Sequence, residues 1–182
     1  MKKCFVLFVL FALASLLVAC ADGGNTPVRN VEPAALQASA HLSPTEGNTV
    51  HGHVTFRQEG NDSVRFIAEV SGLTPGAHGF HIHENGDCSA PDASSAGGHF
   101  NPHQTEHGKA GEGVHHAGDL PSLEADAEGI ARIDVELNGI AITGDHSIVG
   151  RGLIVHADPD DFTTQPTGNA GARVACAVIL QD

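Results

Sequence analysis

Val50-His51-Gly52-His53-Val54-Thr55-Phe56-Arg57-Gln58 is followed by Glu59-Gly60-Asn61-Asp62 and then by Val64-Arg65-Phe66-Ile67-Ala68-Glu69-Val70. Side chains along a strand point alternately to opposite faces. In both runs apolar residues take one parity and mostly polar residues the other, which is the pattern of a strand with one face in a core. The Gly/Asn/Asp cluster between them is a turn signal. This stretch therefore reads as two strands of an antiparallel sheet with one wet face.

Other short alternating runs extend the pattern: Leu36–Leu42, Ala77–Glu84, Ile130–Leu137, Ser147–Val149, Leu153–His156 and Arg173–Leu180. Leu73-Thr74-Pro75-Gly76 adds another turn signal, and no long helical period interrupts the series. Many short strands separated by Gly-rich turns predict an all-β sandwich or barrel. Two stretches, 85–127 and 157–172, are long and irregular. Loops of that length inside a compact domain are usually functional.

The chain begins Met1-Lys2-Lys3, and an apolar run follows from Phe5 to Val18. That run is shorter than the roughly 20 residues a membrane span requires, and it fits the apolar region of a secretory leader. It ends in Leu17-Val18-Ala19-Cys20. Small residues before a cysteine resemble the bacterial lipobox, so residues 1–19 are expected to be a lipoprotein signal peptide and Cys20 the lipidated new N-terminus. An ordinary leader with an incidental cysteine is the alternative. Residues 20–35 then read as a lipidated cysteine with a flexible tether, and residues 36–182 as the domain. The expected location is exported, periplasm or cell surface, anchored to a bacterial membrane by lipid only. Asp22 does not decide between inner and outer membrane.

Loss of the leader removes Lys2 and Lys3 but no acidic residue, which moves the formal charge from −13 to −15. Such a surface argues against nucleic acid and anionic lipid as partners. Of four cysteines, Cys4 leaves with the leader and Cys20 takes the lipid. Cys88 and Cys176 remain in an oxidising compartment, and one disulfide is the economical reading; two separate buried thiols are the alternative.

Between Gly79 and Asp119 the chain carries seven histidines, in Gly79-Phe80-His81-Ile82-His83, Gly98-His99-Phe100-Asn101-Pro102, His103, His107-Gly108 and His115-His116-Ala117-Gly118-Asp119-Leu120. Imidazole is the commonest metal ligand at neutral pH. A His-x-His pair on a strand puts both rings on one face. Three histidines with Asp119 would make a closed tetrahedral set of the kind zinc prefers. His81, His83, a loop histidine and a distant one would suit copper.

At these residues the chain resembles the copper/zinc superoxide dismutases, over a match running from about Leu36 to the C-terminus. Gly-Phe-His-Ile-His, Gly-His-Phe-Asn-Pro, His-Ala-Gly-Asp-Leu and Gly168-Asn169-Ala170-Gly171-Ala172-Arg173 carry the likeness. The resemblance implies a Greek-key β-sandwich, a flattened eight-stranded barrel with two long functional loops. It implies dismutation of superoxide to dioxygen and hydrogen peroxide by a copper centre cycling Cu(II)/Cu(I), with structural zinc sharing a bridging histidine. His81, His83, His99 and His156 would hold copper, and His99, His107, His116 and Asp119 zinc. Arg173 would hold the incoming superoxide. On reduction of copper, His99 would let go and take a proton there, which it can then supply to the product. Asp160 would tie a copper histidine to a zinc histidine, and Cys88–Cys176 would pin the metal loop to the barrel. A non-catalytic periplasmic copper/zinc-binding protein is the alternative function.

Cys88 follows His83 by five residues, which resembles the bacterial exported lipoprotein members, whereas the ligand spacings and Gly144-Asp145-His146-Ser147-Ile148 are closer to the eukaryotic-style branch. The two branches form different dimers, so a homodimer of either kind or a monomer is open. His51-Gly52-His53 matches no family ligand and reads as a solvated strand face, with an accessory metal site as the minority alternative. His41 and His103 are expected at the surface, His78 and His146 in structural hydrogen bonds, and the tract Asp119–Glu128 as solvated surface. Glu84 and Glu106 receive no role. After residue 3 the one lysine is Lys109, and 157–172 has none. Electrostatic steering would then rest on Arg173, the metals and Lys109, so the rate should depend less on ionic strength than in family members that carry lysines in that loop. A steep fall in rate with added salt would contradict this.

Overall fold

The computed structural model describes residues 35–182. The leader, Cys20 and the tether up to residue 34 lie outside the described residues.

The chain forms β1 (Gln37–Pro44), β2 (His51–Gln58), β3 (Ser63–Ser71), β4 (Gly76–His78), β5 (Phe80–His83), β6 (Leu123–Ala125), β7 (Ile130–Asn138), β8 (Gly152–His156), β9 (Arg173–Val178) and β10 (Leu180–Gln181). Antiparallel pairing runs β4-β6-β7-β3-β2-β1-β9-β8-β5, with β10 also on β1. The two ends of this order, β4 and β5, are consecutive in the chain and separated only by Gly79. The sheet therefore curls until its edges nearly meet, as a flattened barrel must. If β4–β5 and β9–β10 are each counted as one interrupted strand, the ten become the expected eight. β7 returns to lie between β3 and β6, which is the Greek-key connection.

Alternation places the core. Val54 and Phe56 of β2, Val64, Phe66, Ala68 and Val70 of β3, and Ala38, Ala40 and Leu42 of β1 are buried, and they share one cluster with Phe80, Ile82, Leu153, Val155 and Ile179. The hairpin register sets Phe56 opposite Phe66, so both rings enter the same interior.

Three expectations about local structure are corrected. The run Ala77–Glu84 is two strands, because at Gly79 the chain passes from pairing with β6 to pairing with β8. Ser147–Val149 is not a strand; it makes only a bridge to Ala141, while Ile148 is buried. The tract Asp119–Glu128 is not simply solvated surface. Asp119, Leu120 and Leu123 are buried, and Leu123–Ala125 forms β6. Only Glu124, Asp126 and Glu128 face water in that tract among its acidic residues. Among the described residues, no helix is long and apolar enough to cross a membrane.

Candidate metal centre

β5 is buried along its whole length, with Phe80 and Ile82 in the barrel and His81 and His83 on the other face. The long loop 85–122 lies along it. Ile82 N–H donates to Gly118 O at 2.8 Å, Phe100 N–H to Ile82 O at 2.8 Å, and Gly118 N–H to Phe100 O at 2.8 Å. This backbone triangle sets His99 beside His83 and Asp119 beside His81. It also explains the glycine of His-Ala-Gly-Asp: a Cβ at Gly118 would strike Ile82 O and crowd Phe100 N at 2.9 Å. β8 contributes His156 just after an irregularity between Val155 and His156, and β9 places Arg173 opposite His156. Such irregularities commonly re-aim a side chain next to a functional site.

Two four-residue groups result, sharing His99: His81, His83, His99, His156 and His99, His107, His116, Asp119, all buried. In the first group one ring nitrogen of each histidine is held. Asp160 Oδ2 accepts from His81 Nε2 at 2.7 Å, Gly97 O from His83 Nδ1 at 2.9 Å, Asp119 Oδ1 from His99 Nδ1 at 2.8 Å, and Gly171 O from His156 Nδ1 at 3.1 Å. The other nitrogens, His81 Nδ1, His83 Nε2, His99 Nε2 and His156 Nε2, are buried without any partner. A buried polar atom without a partner typically costs about 1–3 kcal/mol, and four in one place are a built coordination set. Holding the far nitrogen fixes tautomer and ring orientation, which is how proteins prepare imidazole ligands.

In the second group His99 Nδ1, His107 Nδ1 and His116 Nδ1 stand 2.8, 3.0 and 3.4 Å from Asp119 Oδ1, and His116 Nδ1 is 3.4 Å from His99 Nδ1. A tetrahedron with metal–ligand bonds of 2.0–2.1 Å has edges of about 3.3 Å. The spacings of these four atoms are near that edge length, so the group could hold a tetrahedral ion. Asp119 Oδ2 is occupied by the Gly108 and His116 N–H groups at 3.1 and 2.7 Å, so Oδ1 is the oxygen left to face the metal.

Asp160 joins the two groups, since its Oδ1 accepts from His107 Nε2 at 2.9 Å while Oδ2 holds His81. Gly168 has φ 66°, and a Cβ there would run into Asp160 Oδ1 and His107 Nε2. Arg173 donates to Ala93 O at 2.6 Å and also to Gly97 O, the carbonyl that His83 uses. Its charge is near enough to lower the pKa of His83 and His156.

The structure brings together every residue that the sequence named as a copper or zinc ligand. Sequence reasoning left out the residues that hold them. Gln165 clamps the main chain of His107, donating to its carbonyl at 3.0 Å and accepting its N–H at 2.8 Å. Glu84 accepts the Gly98 N–H at 3.1 Å. These roles involve backbone partners brought in from a distance or from another turn, which carry no residue-type signal. His78 donates to His156 O at 2.8 Å, the structural role expected of it. His115 pairs with the His116 carbonyl and stays outside both groups. A cleft of about 540 Å³ touches the site through Arg173 and Gly171 and through none of the ligand candidates; its other walls include Thr45, Glu46 and Asp92. The chemistry belongs at the converging nitrogens, since a diatomic anion needs no cavity of that size.

Burial pushes His81 down to about 4, His83 to about 2 and His156 to about 3. His107 goes the other way. Burial alone would lower it, but hydrogen bonds and charge from Asp119 and Asp160 raise it to about 9. Both carboxyls are held well below the usual range by those hydrogen bonds, against their own burial. In the metal-free chain a proton on His107 thus stands between two carboxylates, where zinc would bring its charge. The three lowered histidines contribute stability above the unfolded pKa of about 6.5 that is lost as pH falls, because the unfolded chain takes up the protons. His107 contributes stability below 6.5 that is lost as pH rises through 9. Metal-free protein should therefore be most stable near pH 6.5, and between pH 6.5 and 5 should lose roughly 1–2 kcal/mol for each of the three lowered histidines. Urea denaturation midpoints across pH 5–9 check this; a flat profile would refute it.

The family model for copper/zinc superoxide dismutase matches residues 50–179. The chain belongs to the copper/zinc superoxide dismutase family. A superoxide dismutase [Cu-Zn] from Onchocerca volvulus is 43% identical over 148 residues, covering 76% of this chain and 93% of that protein. As a family member the chain is an enzyme that dismutates superoxide, with copper and zinc as its cofactors. The donor chemistry agrees: four neutral imidazoles suit copper, and three imidazoles with a carboxylate suit zinc.

Proposed function

We propose that His81, through Nδ1, and His83, His99 and His156, through Nε2, hold copper, and that His99 Nδ1, His107, His116 and Asp119 hold zinc. The observation that carries this is the set of four buried nitrogens without partners. Bound copper supplies the one-electron oxidation and reduction that alternate in dismutation; zinc, which has no redox chemistry, cannot. The residues do the rest. His99 is the one ring in both groups, so with Nδ1 held on the zinc side a proton at its Nε2 would stay oriented and available to reduced substrate. Asp160 keeps the His81 and His107 rings in register. Arg173 offers fixed positive charge to a small anion, oriented by the Ala93 and Gly97 carbonyls.

Replacing Arg173 with alanine should lower the superoxide decay rate by about 10–100-fold at unchanged copper content, with lysine intermediate because it keeps the charge but not the fork. A rate equal to the parent's would remove Arg173 from the mechanism. The assignment as a whole is tested by superoxide decay with copper- and zinc-loaded protein against a zinc-only sample. Acceleration that needs copper supports it; no acceleration with copper confirmed bound would favour the metal-binding alternative.

We also place the enzyme outside the cytoplasm as a lipid-anchored bacterial form that removes superoxide there. Leu17-Val18-Ala19-Cys20 motivates this. The Cys88–Cys176 disulfide supports it, because such bonds persist in oxidising compartments. Labelled palmitate should enter the parent chain and not Cys20→Ala; equal labelling would exclude Cys20 as the lipid site.

A further inference from the structure

The outer face of β1 and β2 carries three histidines that the metal centre does not use. His41 and His53 are direct cross-strand partners, and His51 lies two residues before His53 on the same outward side. All three are exposed. The His41 and His53 rings stand 4.4 Å apart between centroids, and their Nδ1 atoms face each other at 3.3 Å. Two nitrogens in that position either share a proton or present lone pairs to one cation. Water could satisfy both rings at an exposed site, so burial does not force the pairing.

The distance favours a cation. An edge of about 3.3 Å belongs to a tetrahedral ion with 2.0–2.1 Å bonds, and the zinc group of this chain has the same edge, 3.4 Å between His116 and His99. The support is rigid, since β2 is paired on both sides, and Gly52, between His51 and His53, has no room for a Cβ against Glu69 O at 2.5 Å. Opposite His53 on β3 lies Glu69, whose carboxylate already pairs with Arg132 of β7 at 2.8 Å.

We propose that His41 and His53 form a separate surface site for a divalent ion of the zinc class, completed by water. The site is independent of the roles given above to the buried ligands.

The test is equilibrium dialysis of zinc into holoenzyme already filled with copper and zinc. One further equivalent per chain is expected. It should weaken in His41→Asn and in His53→Asn by no less than the roughly tenfold that losing even a supporting residue costs. His146→Asn should bind like the parent; its ring pairs with His103 elsewhere on the surface. Superoxide decay should stay unchanged in all these variants, which verifies folding. The proposal is overturned by the absence of an extra equivalent up to about 1 mM zinc, or by one that survives in the His41→Asn/His53→Asn double variant. As an independent readout, zinc should shift the imidazole NMR signals of His41 and His53; unmoved signals would also overturn it.

Discussion

Replacing His99 with alanine should abolish superoxide decay and weaken both metals together. His99 is the one residue in both ligand groups, with Nε2 toward the copper set and Nδ1 on the zinc edge. Losing a direct ligand costs at least as much as losing a supporting residue, so each affinity should fall by about 100-fold or more, and the decay rate per chain by at least about 100-fold. The fold should survive. Without the ring, Asp119 still receives His107 and the Gly108 and His116 N–H groups. Metal content after dialysis, decay rate and the denaturation midpoint of the metal-free protein separate these effects. A variant that keeps parent copper and zinc would show that the bridge is not a ligand. His115→Ala is the matched control and should change neither.

Replacing Cys88 with serine should cost stability and activity in one step. The disulfide joins residues 88 apart in sequence. On the chain-entropy account, a loop of that length contributes about 4–5 kcal/mol, a large part of the 5–15 kcal/mol typical of a domain. The same bond anchors the segment that carries the Ser94–Ala96 turn, whose Ala93 and Ala96 pack with Ile154 and Cys176. The carbonyls of Ala93 and Gly97 in this segment orient Arg173. Freed from Cys176, the segment should lose its fixed grip on the guanidinium, so the decay rate should drop at constant copper content. Denaturation midpoints and rates for Cys88→Ser and for reduced parent test this. An unchanged midpoint would sink the stabilising role, and an unchanged rate the link to Arg173.

The hairpin Val50–Val70 was legible nearly residue for residue, because each strand alternates against a single core face. β6 was not. Leu123–Ala125 has only three residues, one of them Glu124, and its strand geometry comes from pairing with β4. The break at Gly79 was hidden for a related reason: Ala77–Glu84 is one extended run in sequence, and only the pairing partners change along it.

By itself the sequence determined the residue types and their parity. Alternation set His81 and His83 on the same face of one strand, and the spacing and family likeness of the loop residues named His99, His107, His116 and Asp119. The tertiary structure alone decided which nitrogen each ring offers. That choice depends on what holds the opposite nitrogen: Asp160 for His81, Gly97 O for His83, Gly171 O for His156. A backbone carbonyl is the same at every residue, so its use as a ligand orienter leaves no mark on composition or spacing. It becomes visible only when the closed barrel and its two loops bring that carbonyl to the ring.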